Sequence, residues 1–446
     1  MRILIGPIEI SGYYSNLARG FQSQGHACDF YTFKPHPFVY GGESKKSTIL
    51  KLVNWCNKFL GKSKRPLLIR AIVALPREIL THIWGLYVIF KYDVFVFGFG
   101  ESLFRGNKDL IVLRWLNKVV ISNFAHGSEA RPPYINGFLQ TKEGLAQTAK
   151  QLCCLAASKK NRLLRFEKFA NYIIGAPYST TYFAQSRLIN TFALGVPIDL
   201  SLIELKKYNA EGGWDGIQAK KVRILHSPSH AVAKGSELIK IAIENLRNRG
   251  LDIEFVLIQG KSFQDVTIEI QRCDFVVDQI YSDTPMAGFA TEAAWFGKPA
   301  VVGGYGLEEL RQYVPEGMWA PSKICHPNNI EKAIEDLILN KEKREILGRE
   351  AQAFVHLKWS AEEVAKRYLR IIHDDIPEEW WLNPNDVCYL QGAGQSADRT
   401  IDNIRNLVNQ YGICSLELSH RPDLEDAFLE FAGINKNQSQ NAPFVS

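Results

Sequence analysis

Strand-to-helix alternation, run twice along one chain, is the feature that most narrows what this sequence can fold into. Residues 2–7 form a short apolar run, and Ser11-Gly12 makes a turn. Residues 16–24 then place Leu17, Ala18 and Phe21 at the spacing of one helix face. Gly25 stands where a C′ glycine ends a helix, and residues 27–33 read as a second strand. This is a βαβ opening with Gly12 at its strand-to-helix corner. Further strands are predicted at 94–97, 119–122 and 172–174, with helical segments between them.

The alternation breaks around Gly195-Val196-Pro197-Ile198-Asp199, and a polar, glycine-rich stretch follows at 211–216. It restarts with a strand at 222–226 and an amphipathic helix at 238–249. That helix carries Leu238, Ile241, Ala242 and Leu246 on one face and closes at Gly250. Strands at 253–258, 275–277 and 299–302 and helices at 291–296, 329–339 and 343–356 continue the pattern. Ser360 and Glu363 have capping-box spacing ahead of a helix ending near Ile372. At 446 residues the chain is too long for one ordinary core. The expectation is an α/β protein of two Rossmann-like domains facing a central cleft, residues 1–197 and 198–375. An extension of unassigned role, 376–446, holds helices near 401–411 and 424–431 and a polar end that reads as disordered.

Composition excludes more than it selects. With 46% hydrophobic and 22% charged residues the chain is of the globular class. A net charge of +6 without a dense basic run interleaved with aromatics excludes a nucleic-acid binder. Basic residues gather before residue 170, at Lys62, Lys64, Arg65 and Arg70 and again at Lys159, Lys160, Arg162 and Arg165. Such a face suits plain solvation, an anionic membrane surface or a phosphorylated acceptor. The apolar stretch 69–90 is interrupted by Arg70, Pro76, Arg77, Glu78 and His82 and falls short of a spanning helix. It reads as a buried helix, with an interfacial helix as the alternative. The eight cysteines include no Cys-x-x-Cys pair, and Cys153 and Cys154 are adjacent, so they read as reduced, mostly buried thiols of a cytoplasmic protein. The N-terminal apolar run is too short for a signal peptide.

The densest cluster of informative residues lies between His226 and Gly304. A strand leads into His226-Ser227-Pro228-Ser229-His230, and Lys234-Gly235-Ser236 opens a helix. Free amides and the positive end of the dipole at a helix start attract phosphate. Lys234 adds a mobile charge, Gly235 permits close backbone approach, and Ser229 and His230 can donate. The Gly-x4-Gly-Lys spacing of a Walker motif is absent. Downstream come Asp278-Gln279, a loop through Gly288, and Thr291-Glu292-Ala293-Ala294-Trp295-Phe296-Gly297-Lys298-Pro299. Glu292 at a helix start can cap it, pair with Lys298 or accept two ribose hydroxyls. Both motifs fall at C-terminal ends of parallel strands, where open α/β sheets bind ligands.

On these residues the chain resembles the retaining GT-B glycosyltransferases, in the broad family-four-like group. The resemblance spans residues 1 to 375 and is specific between His226 and Gly304. It implies that Lys234 binds a diphosphate and Glu292 the nucleotide ribose. Gly12 resembles the family's glycine in the first βα loop, near the donor phosphates. Phe124-Ala125-His126-Gly127-Ser128-Glu129-Ala130-Arg131 resembles its His-Gly-Ser-acid-x-Arg stretch, in which the His, here His126, lies near the transferred sugar. Glu129 and Arg131 also fit a local ion pair. One departure stands out: the family has a Glu eight positions before the ribose Glu, where this chain has Thr284. Asp278 and Asp283, with the loop through Gly288, are then the candidates for the donor-sugar contact.

What the resemblance implies is transfer of a sugar from a nucleotide-diphosphate sugar to an acceptor hydroxyl, with retention, in surface polysaccharide or glycoconjugate synthesis. The nucleotide-sugar is a co-substrate. No cofactor or metal is required, because a Lys and amide dipoles replace the cation and no Asp-x-Asp motif is present. The acceptor is open between a saccharide and a lipid-linked molecule, with peripheral contact at the inner membrane face. Two other readings remain: a catalytically inactive nucleotide-sugar binding protein, favoured by Thr284, and a nucleotide-sugar epimerase, which needs an acid/base set around the sugar.

Overall fold

A computed structural model describes residues 1–33, 47–60, 67–141, 147–201 and 221–435. The first domain is built on β1 (Arg2–Ile5), β2 (Ala27–Phe30), β3 (Val94–Gly98), β4 (Val119–Asn123), β5 (Tyr172–Gly175) and β6 (Leu188–Asn190). The second is built on β7 (Val222–His226), β8 (Ile253–Leu257), β9 (Phe275–Gln279), β10 (Ala300–Gly303) and β11 (Lys323–Cys325). A late strand, β12 (Trp381–Leu382), returns to the first sheet. The orders are β12-β6-β5-β4-β3-β1-β2 and β11-β10-β9-β7-β8, parallel throughout except for β12 against β6. Ile3 pairs with Cys28 on one side and Val94 on the other. Strands covered on both faces must be apolar on both faces. Accordingly Ile3, Leu4 and Ile5, and Val94 through Phe97, are almost fully buried.

Helices α1 (Tyr13–Ser23), α2 (Thr48–Leu60), α3 (Leu67–Lys91), α4 (Asp109–Trp115), α5 (Ala149–Phe169) and α6 (Thr191–Leu194) belong to the first domain. Right-handed crossovers put α1 on one face of the sheet and α2 to α5 on the other. The second domain holds α7 (Ala231–Lys234), α8 (Ser236–Asn248), α9 (Phe263–Arg272), α10 (Gly288–Trp295), α11 (Leu307–Leu310), α12 (Ile330–Leu339) and α13 (Lys341–Phe354). Then come α14 (Ala361–Ile372), α15 (Ala397–Tyr411) and α16 (Pro422–Phe431).

The expected strands are present to within three residues, β6, β11 and β12 lie outside the expectations, and several helix expectations change. α8 buries Ile239, Ala242, Ile243 and Leu246 and leaves Leu238 and Ile241 exposed. Apolar residues surround most of that helix, so spacing alone does not choose the face. α10 begins at Gly288, three residues earlier than expected. α14 packs on α1 of the first domain, although the sequence groups it with the second. Its Val364, Ala365, Tyr368 and Ile371 are buried, and a Cβ on Gly20 of α1 would strike the Ala361 carbonyl. The chain therefore crosses between domains twice, side by side: Ile198 N–H donates to Trp359 O and Ala361 N–H to Ile198 O.

Three of the eight thiols are buried, Cys28, Cys56 and Cys273; Cys154, Cys388 and Cys414 are exposed. They are not the mostly buried set expected. The apolar stretch 69–90 lies within α3; by length and composition Ile72–Lys91 is long and apolar enough to cross a membrane, contrary to the expectation, and one face of it is exposed rather than buried. The glycine-rich stretch 211–216, the cluster at Lys62, Lys64 and Arg65, and the polar tail beyond residue 435 lie outside the described residues.

Candidate functional site

β7 ends at His226, and this imidazole is structural. It is fully buried, with Nδ1 2.8 Å from Val277 O and Nε2 2.8 Å from the Ser236 hydroxyl. Burial pulls its pKa down to about 4. The chain then turns through α7 into α8 at Gly235, whose φ of +71° suits glycine and whose missing Cβ would press on Ile280. That glycine serves the turn. Lys234 ends α7 almost fully buried, and its Nζ donates to Asp278 Oδ1 at 2.5 Å. Asp278 is fully buried, and its Oδ2 has no hydrogen-bond partner among the described residues. Asp278, a candidate for the donor sugar, thus lies beneath Lys234 and orients it.

Opposite Lys234 stands α10. Its N-cap Ala287 supplies no side-chain hydrogen bond, and the N–H groups of Gly288, Phe289 and Ala290 find no partner among the described residues. Gly288 leaves open space there: a Cβ would meet only the Ser11 side chain, at 4.0 Å. The helix N-terminus suited to an anion is therefore that of α10. α8 does not fill that role, because α7 precedes it and its Ser236 hydroxyl is bound to His226. Glu292 lies one turn beyond Gly288 on the same helix face. It is 7% exposed and makes no hydrogen bond or ion pair with any described residue. Burial pushes its carboxyl up to about 8; Lys234 acts to lower it and Asp278 to raise it. Lys234, Gly288 and Glu292, with Ser11, Ser229 and the loop from Gly260 to Phe263, enclose a cavity of about 290 Å³.

A second cavity, of about 340 Å³, opens between the domains and shares Ser11, Ser229, Lys234 and Gly288 with the first. Lys234 and the start of α10 therefore stand at the junction of two chambers. His126 borders the second chamber. Its Nε2 is 2.7 Å from the Tyr14 hydroxyl, and its ring sits edge-on to Tyr13 and Tyr14 at 5.0 and 5.3 Å between centroids. Burial lowers its pKa to about 4, so the ring is neutral at pH 7. Arg131 is ion-paired across the domains with Asp283, both nine-tenths or more buried. The local Glu129–Arg131 pair does not form; Glu129 instead accepts the His126 N–H at 2.7 Å. Thr284 lines the same chamber next to Asp283.

One expected donor contact has other work, and another sits beside the site. Gly12, at φ +80°, starts α1 and borders a crevice with Asn16, Arg19 and Pro197 that Gly288 and Glu292 also line. The N-terminus of α1 is already satisfied, because Glu9 accepts from the N–H groups of Ile10, Tyr14 and Ser15 at 2.8, 3.1 and 3.0 Å. His230 caps α7 through Nδ1, and its Nε2 is 3.1 Å from Gln140 O of the first domain. Both of its nitrogens are engaged, and it lines neither chamber. Sequence reasoning missed Ser11 and Tyr178, which line the chambers from loops, and Phe263, the first residue of α9; only the fold brings them together.

No protein-family model and no curated protein matches the chain. Similar solved structures include Anabaena HepE in complex with UDP and glucose, at 13% identity over 84% of this chain and 99% of that one, TM-score 0.44. Another is UDP-GlcNAc 2-epimerase from Neisseria meningitidis bound to UDP-GlcNAc, at 14% identity over 84% and 100%, TM-score 0.42. A third is an alpha-glucosyltransferase in complex with UDP and a 13-mer DNA, at 11% identity over 84% and 100%, TM-score 0.47. At these identities, and with TM-scores below 0.5, the likenesses carry no inference about this chain's chemistry.

Proposed function

We propose that this chain is a GT-B glycosyltransferase that moves a sugar, with retention, from a nucleotide-diphosphate sugar to an acceptor hydroxyl, in polysaccharide or glycoconjugate synthesis. The observation that carries the reading is Glu292, a buried carboxyl without a partner among the described residues, set one helical turn behind an uncapped helix N-terminus and beside Lys234. A buried ionisable group left unpaired is costly. A ribose diol supplies the hydrogen bonds it lacks, while the first amides of α10 and Lys234 Nζ receive the diphosphate. The sugar then extends into the second chamber toward His126.

As the glycosidic bond breaks, negative charge grows on the leaving diphosphate. Lys234 and the start of α10 stabilise it without reorganising, since Asp278 already holds the lysine. Neutral His126 donates from Nδ1 to a sugar hydroxyl. A second reading, binding without transfer, is favoured by one observation: Asp283, the acid nearest the Thr284 position, is bound to Arg131.

The test is incubation of the protein with UDP-, GDP-, ADP- and CDP-sugars, with products resolved by chromatography. Release of nucleoside diphosphate from one of them supports transfer. A changed sugar still on its nucleotide identifies an epimerase, and binding without any product identifies the non-catalytic form.

A further inference from the structure

The region of α2, α3 and α4 takes no part in the cleft. α3 is 25 residues long and turns an uninterrupted apolar stripe to solvent: Ile72, Leu75, Ile79, Ile83, Leu86 and Phe90, each 50–68% exposed. Steps of three and four residues keep these side chains on one line, about 27 Å long at 1.5 Å per residue. Trp55 of α2 and Trp115 of α4, 60% and 80% exposed, extend the apolar surface on the same side of the sheet. Monomeric soluble proteins rarely expose a contiguous apolar surface of this extent. The opposite side of α3 is packed in its last two turns, where Trp84, Val88 and Ile89 are buried. Before them Arg77 and Thr81 wall a pocket of about 660 Å³ with Glu9, Glu101 and Phe104, beyond the C-terminal ends of β1 and β3.

Charge selects the occupant. Lys51, Lys58, Arg105, Lys108 and Arg114 are exposed on these helices and the loop before α4. The accessible carboxylates among the described residues of the same elements and their joining loops are Glu78, Asp93 and Glu101, and Glu78 is ion-paired with Arg77. A second copy of this face would bring two positive rims together; an anionic surface complements it.

We propose that this face seats on an anionic lipid bilayer, with α3 lying in the interface, its stripe among the acyl chains and the surrounding cations on headgroup phosphates. α3 lies on the bilayer and does not cross it, because its last two turns are committed to the domain core through Trp84, Val88 and Ile89. The pocket behind α3 then opens at the headgroup layer. No residue of the stripe touches the cleft, so this inference and the donor-site reading fail separately.

The test is flotation of the full chain with vesicles of phosphatidylcholine alone and of phosphatidylcholine with phosphatidylglycerol. Binding is expected to the anionic vesicles, weakening as salt is raised. The pairs Ile79→Glu/Ile83→Glu and Leu86→Gln/Phe90→Gln are each expected to lower it about tenfold or more. Both pairs should keep the wild-type melting temperature, which reports an intact fold. Failure of the wild type to float with anionic vesicles overturns the proposal. So does wild-type flotation by both pairs, or a wild-type dimer in sedimentation that the substitutions dissociate.

Discussion

Glu292 combines two properties that rarely coexist in a side chain kept only for the fold: it is buried, and none of the described residues satisfies it. Its carboxyl, raised from 4.5 to about 8 by burial, is favoured as the neutral acid in the folded state. The stability linked to it is thus complete below the unfolded value and is lost as pH rises through the folded one. Glu292→Gln cannot ionise. Its melting temperature should match wild type near pH 5 and exceed it near pH 9, while nucleoside-diphosphate binding falls. Equal melting curves at both pH values would contradict this assignment.

Lys234, unlike Glu292, is paired, and Asp278 beneath it depends on its charge. Lys234→Met should cost about 3 kcal/mol or more in urea denaturation, since it strands a buried carboxylate. Lys234→Met/Asp278→Asn should recover most of that stability without recovering binding. Lys234 and Glu292 were legible in the sequence as a pair of motifs. That Glu292 stands alone and that Lys234 has a buried counterion were not, because both depend on which strands come together.

Among the elements, α10 decides the chemistry of the cleft. Its start at Gly288, and not at Thr291, moves the open helix terminus into the site and places Glu292 in the second turn. The sequence hides this boundary, because Met286-Ala287-Gly288-Phe289 carries no capping side chain and reads as loop. Gly288→Leu tests the placement. The position has room for a side chain, so the fold should tolerate it, whereas bulk beside the first amides should weaken nucleoside-diphosphate binding about tenfold, near 1.4 kcal/mol by calorimetry. Unchanged affinity would place the anion elsewhere. α3 and α8 teach the same lesson from the other side. Periodicity reveals an apolar face, but where apolar residues cover most of a helix, packing alone selects the part that is buried.

At the scale of the molecule, the two domains are tied by more than the paired crossings at Ile198 and Trp359. The extension adds β12 to the edge of the first sheet and then wedges residues 389–395 between the domains. Gly137 N–H donates to Ala393 O at 2.8 Å, and Gly394 N–H to Tyr281 O of the second domain at 2.9 Å. A Cβ on Gly394, at φ +76°, would crowd Phe138 and Ala233. Gly394→Val should therefore open the cleft, seen as a larger radius of gyration in solution scattering; an unchanged radius would deny the extension this role. The two-domain α/β plan was legible from the repeated alternation, since each strand carries its own pattern. The return of α14 to the first domain and the wedge were not, because an amphipathic helix does not name the surface it covers.

The cleft as a nucleotide-sugar site is tested most directly by calorimetric titration of the whole protein with UDP, GDP, ADP and CDP. One of them should bind at a single site. Glu292→Ala and the fold-preserving Lys234→Met/Asp278→Asn should each weaken it by about tenfold or more. Absence of binding by all four, or binding that both variants leave intact, would contradict the account.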